Sequence, residues 1–81
     1  MSETEVLAKL TEIFRDLFEL PELVLDKNMS AEDIDEWDSV NHVMLVVEVE
    51  RQFKIKFNTA EVEQMNNVGD LVQIIIGKVA A

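Results

Sequence analysis

The sequence has no cysteine and no tyrosine, and it holds one proline, one histidine and two glycines in 81 residues. Without cysteine there is no disulfide staple and no Cys-based zinc site, so any thiol chemistry must come from a cofactor. The absence suits a reducing compartment, and cytoplasm is the expected location. There is no glycine-rich loop. Basic residues are scarce, 7 against 17 acidic ones, for a net charge of −10. Such a surface repels nucleic-acid phosphates and anionic membranes, and favours partners with basic patches. No run reaches the ~18 uninterrupted apolar residues of a membrane span. The opening "MSETEV" lacks the basic and apolar regions of a signal peptide.

What is present points to a folded chain. Hydrophobic residues make up 48% of the sequence, too many for a disordered acidic tail. The length predicts a single domain over residues 1–81, a monomer with one modest core. A chain this short has little room for a deep, pre-formed active site.

Periodicity predicts helices. Val6, Leu7, Leu10, Ile13, Phe14 and Leu17 recur at spacings of three and four, the mark of one buried helix face. Ser2 and Glu5 have the spacing of a capping box, and Pro21 ends the pattern, giving a first helix over about 3–19. Residues 20–38 show no sustained period, a long connection anchored by Leu23, Val24, Leu25, Met29 and Ile34. Ser30 and Asp33 can cap one turn within it.

A second helix is expected from Asp38 or Ser39 to Arg51 or Phe53, since no glycine or proline breaks residues 38–57. "FKIKF", 53–57, alternates like a strand but has no pairing partner, and is read as extended loop. Asn58 with Glu61 can cap a short third helix over 59–65, and Asn67 with Asp70 a fourth over 68–79. The predicted fold is all-α: a small four-helix bundle of three longer helices and one short one, with a long loop between helices one and two.

The candidate sites are few. Asp26-x-Asn28-x-Ser30 begins like a calcium loop, but Ala31 and Trp37 stand where the turn glycine and the bidentate glutamate belong. No metal site is expected. His42 lies three residues after Ser39, near the same helix face. A catalytic Ser–His pair would also need an orienting carboxylate and an oxyanion hole, and neither is visible. No catalytic residue is assigned. Ser39 or Asp38 can serve simply as the helix cap. A helix N-terminus also favours a covalently attached phosphate, because its free N–H groups and dipole stabilise negative charge.

Asp38-Ser39-Val40 after a long loop, "VEVERQF" at 47–53 and "NNVGDLVQII" at 66–75 together resemble the acyl carrier proteins, including peptidyl and aminoacyl carrier domains. The resemblance covers nearly the whole chain. It implies a phosphoprotein whose Ser39, preceded by Asp38, is joined to 4′-phosphopantetheine taken from coenzyme A by a phosphopantetheinyl transferase. It implies a non-catalytic carrier of acyl or aminoacyl groups as thioesters, serving fatty acid, polyketide or related biosynthesis. The implied partners are acyl-loading and acyl-transfer enzymes with basic patches. The rival reading is a non-catalytic acidic interaction module in which Ser39 is only a cap.

The chain departs from the family pattern. Val40 follows the serine where leucine is usual, and Met44 occupies a usually acidic position. Trp37 before Asp38 looks like a specialised, stand-alone member. On helix two, residues 46, 49 and 53 form one apolar stripe toward the core, and Val40, Met44 and Val47 form a second. A two-layer bundle does not readily bury both, so the second stripe is expected to be a docking surface, with Glu48, Glu50 and the acidic loop as steering charge. Leu45, Val46, Val49, Val62 and Met65 are candidate walls of an acyl crevice, although ordinary core packing selects the same residues.

Overall fold

The computed structural model describes residues 2–79. It contains α1 (Glu3–Phe18), α2 (Ser39–Phe53), α3 (Thr59–Glu63) and α4 (Val68–Val79), and no strand among the described residues. The helix starts are set by local side chains. Ser2 and Glu5 form the capping box of α1, and Asn58 and Glu61 that of α3. The side-chain oxygen of Asn67 accepts the N–H of Asp70 at 2.8 Å, opening α4.

The helix ends depart slightly from expectation. α1 closes ahead of Pro21, with Glu19 in the left-handed region at φ 57°. Its N–H and that of Leu20 both donate to the Arg15 carbonyl. A left-handed residue satisfies the orphan carbonyls of the last turn, so proline is not needed as the stop. α3 ends at Glu63 rather than 65, because the Gln64 N–H reaches back to the Ala60, Glu61 and Val62 carbonyls and tightens the turn. Of residues 53–57, expected as extended loop, Phe53 instead closes α2 and Lys54 is its left-handed cap, so only 55–57 lie outside helix and turn; there the Phe57 N–H donates to Glu50 Oε2 at 2.8 Å.

α1 packs against both α2 and α4. Their apolar faces meet around Phe14, which is fully buried and stands edge-on to Phe18 and to Trp37. The long connection is part of the core: Leu25, Ile34 and Trp37 are buried and Leu23 and Met29 half-buried. Val24 is not the anchor its sequence suggested. It is 70% exposed, because its neighbour Leu25 takes the inward position.

Two backbone bonds fasten this connection to α4: the Val68 N–H donates to Met29 O at 2.8 Å and the Gly69 N–H to Lys27 O at 2.9 Å. Gly69 permits the approach, since a Cβ there would sit 3.0 Å from the Lys27 oxygen. Lys27 also pairs with Glu3 of α1, which accepts from Gln73 of α4. The connection is thereby tied to both α1 and α4, and it delivers Trp37 and Asp38 to the head of α2.

Candidate functional site

Asp38 is extended (φ −100°, ψ −176°), and its Oδ1 accepts the N–H of Asn41 at 2.8 Å. It is the N-cap of α2, and Ser39 is the first helical residue beside it. The choice left open between the two is made by geometry: Asp38 caps and Ser39 is exposed. Asn41 turns back as well, donating its side-chain N–H to the Glu36 carbonyl at 2.7 Å. The peptide ahead of Ser39 is therefore gripped from the first turn of α2.

Trp37, two residues ahead of Ser39, is 3% exposed and meets Phe14 edge-on at 5.2 Å. Its indole Nε1–H donates to His42 Nδ1 at 2.9 Å. The other nitrogen of His42 lies 3.4 Å from the Val62 carbonyl of α3. Both ring nitrogens are thus engaged away from Ser39, so His42 is not placed as its base. Sequence periodicity missed this contact, because a spacing of five across a cap belongs to no helical pattern.

Beside Ser39 a cleft of about 340 Å³ is lined by Ala31, Trp37, Asp38, Ser39, His42, Met65 and Asn66. Of the crevice candidates only Met65 reaches its wall. Leu45, Val46 and Val49 are buried in the common core, and Val62 is half-buried against it.

The second stripe of α2 faces solvent. Val40 is 72% exposed, Met44 51% and Val47 57%. Val43 belongs to the same surface at 60% exposed, and its spacing of three from Val40 and four from Val47 is the signal that finds it. Residues 46, 49 and 53 are buried as expected. Glu48 is tied down: its carboxylate accepts from Gln52 and Arg51, at 2.8 and 2.9 Å. Those bonds, Gln52 first, hold its carboxyl below the ordinary carboxylate pKa. Glu50 is occupied by the Phe57 N–H. Two acidic side chains of the connection close turns: Asp26 Oδ1 accepts the Asn28 N–H and Asp33 Oδ2 the Ser30 N–H.

An exposed hydroxyl at a helix N-terminus, bordered by a cleft, suits a phosphate ester. The free N–H groups and dipole of α2 would stabilise the charge of such an ester, and the cleft lies beside it.

Comparison with known proteins gives the same direction. The family model described as a phosphopantetheine attachment site matches residues 8–75. An acyl carrier protein of Thermosynechococcus vestitus is 33% identical over 82 residues, with 100% of both chains covered. The solution NMR structure of holo acyl carrier protein from Geobacter metallireducens superposes with a TM-score of 0.87 at 44% identity, covering 93% of this chain and 86% of that one.

Proposed function

The chain belongs to the acyl carrier protein family, and from that premise we propose that Ser39 is the residue through which it holds its covalent 4′-phosphopantetheine. The group supplies a flexible arm ending in a thiol, on which acyl groups are carried as thioesters. The cysteine-free sequence and the engagement of both His42 nitrogens away from Ser39 suit a protein that lends a handle and leaves bond-making to its partners.

The observation that carries the assignment is the division of labour at the start of α2. Asp38 makes the cap, so the Ser39 hydroxyl stays exposed and positioned. Incubation with coenzyme A, magnesium and a broad-range phosphopantetheinyl transferase tests it. The expected result is a mass gain of one phosphopantetheine on the wild type and none on Ser39→Ala. A Ser39→Ala chain that still gains the mass overturns the assignment, and a wild type that gains none favours the plain interaction module.

Docking follows from the same helix. Val40, Val43, Met44 and Val47 form one exposed apolar stripe running away from Ser39, with Arg51 one turn further. Their partner surface is an apolar pocket, with basic groups facing the acidic turn of Asp35, Glu36 and Asp38. Trp37, Val40 and Met44, the departures from the family pattern, support service in a dedicated pathway of fatty acid, polyketide or related synthesis.

A further inference from the structure

The chain has one tryptophan and one histidine, and they touch: the Trp37 indole Nε1–H donates to His42 Nδ1 at 2.9 Å, with ring centroids 6.0 Å apart. The indole nitrogen is a donor only. Nδ1 must therefore carry the lone pair, which leaves the ring proton of neutral His42 on Nε2, 3.4 Å from the Val62 carbonyl. One imidazole thus joins three elements: the connection through Trp37, α2 through its own backbone, and α3 through Val62. The connection and α2 line the cleft beside Ser39, together with Met65 and Asn66, which follow α3.

We propose that His42 is a positioning residue for Ser39: its neutral ring locks Trp37 and the turn that presents the serine, and protonation opens the lock. This rests on the reading that Ser39 receives the arm. An imidazolium carries a proton on both nitrogens and can accept nothing, so it faces the indole N–H donor to donor. Trp37 is 3% exposed, so protonation of His42 removes the acceptor that the structure provides for its N–H.

Charged groups flank the pair and its cleft, and on α4 Asp70 accepts the N–H of the cleft residue Asn66 at 3.3 Å. Asp38 lines the cleft with its Oδ1 held by Asn41, and Asp35 and Glu36 precede Trp37 on the exposed turn. On α3, Glu61 beside Val62 is engaged with the Asn58 N–H and Lys78, and Glu63 is exposed. α1 reaches the pair through the uncharged ring of Phe14.

Single-residue probes make the test clean. Nitrogen-15 spectra of the unmodified chain from pH 8 to pH 5 report the His42 tautomer and the Trp37 indole N–H. The lock predicts a proton on Nε2 alone at pH 8, and an indole resonance that moves with the same midpoint as the imidazole. In parallel, arm transfer to Ser39 is timed for the wild type and for His42→Asn, whose amide oxygen is one bond from Cγ, as Nδ1 is, and can accept the indole N–H at any pH. Taking the ratio of the two rates at each pH cancels the transferase's own pH dependence. Losing one such hydrogen bond shifts an equilibrium by roughly 2- to 12-fold, so the wild-type rate should fall by that factor relative to His42→Asn as pH drops. Trp37→Phe, which keeps a ring against Phe14 but has no donor, should transfer slowly with no His42-linked step. A ratio constant across the range, a proton on Nδ1 at pH 8, or an indole resonance indifferent to His42 overturns the proposal. The spectra do not involve the arm, so the lock can fail while Ser39 is still modified, and Ser39 can fail while the lock stands.

Discussion

The Asp38 carboxylate accepts the Asn41 N–H at 2.8 Å, and the serine between them makes no claim on that bond. Asp38→Ala should lower stability by about 1 kcal/mol in chemical denaturation, the usual loss for a helix cap. Asp38→Asn keeps an oxygen acceptor and should retain most of it. A loss as large in Asn as in Ala would show that charge at the helix N-terminus, rather than the cap bond, holds this turn.

The two faces of α2 should respond oppositely to the same change. Val47→Asp, at an exposed position, should shift stability by no more than about 0.5 kcal/mol. Val49→Asp buries an unpaired carboxylate in the core and should cost about 4 kcal/mol or more. If the exposed stripe docks, Val47→Asp should also lower kcat/KM for arm transfer about tenfold, the loss of roughly 1.4 kcal/mol of contact. Unchanged transfer kinetics would remove Val47 from the docking surface.

The glycines form a matched pair. Gly77 is exposed in α4, and a Cβ added there would meet nothing within 4 Å, so Gly77→Ala should stabilise by about 0.5–1 kcal/mol. Gly69→Ala gains the same helix propensity but meets the Lys27 carbonyl oxygen at 3.0 Å, the one its own N–H binds. It should fall below the wild type in thermal melts. A Gly69→Ala chain as stable as Gly77→Ala would mean that the loop yields freely.

Acid should loosen the molecule through its caps. The Glu61 carboxyl is held below its ordinary 4.5, first by the Asn58 N–H and then by Lys78. Glu3 is held below 4.5 chiefly by its hydrogen bond with Lys27. A carboxyl depressed in the folded state contributes stability that is present above 4.5 and lost as pH falls through its lowered value. Melting temperatures taken from pH 7 downward should drop below that point, and Glu61→Gln, which cannot titrate, should drop less steeply. An equal slope in both proteins would exclude Glu61 as a contributor.

Much of the fold was legible because its signals are local. Ser2 and Glu5, or Asn58 and Glu61, lie three residues apart and act through the nearest backbone N–H groups, so their spacing already describes the bond. The buried stripe at 46, 49 and 53 was equally readable, since helical period alone puts those residues on one face. The connection was harder. Nothing in "LVL" at 23–25 says that Leu25 turns inward while Val24 faces water, because that depends on the path imposed by α4 through Met29 and Lys27. Trp37 and His42 likewise meet only because the connection folds back over the head of α2.

The sequence by itself determined the helix starts, the acidic surface, the lack of any thiol, and the placing of Asp38 and Ser39 at the head of α2. Those features rest on composition and on interactions within one helical turn. Only the tertiary structure decided that the stripe from Val40 to Val47 is left uncovered, that His42 has both nitrogens engaged, and that a cleft opens beside Ser39. Each depends on which distant segments pack together, and packing is settled by the whole chain at once rather than by neighbours in sequence.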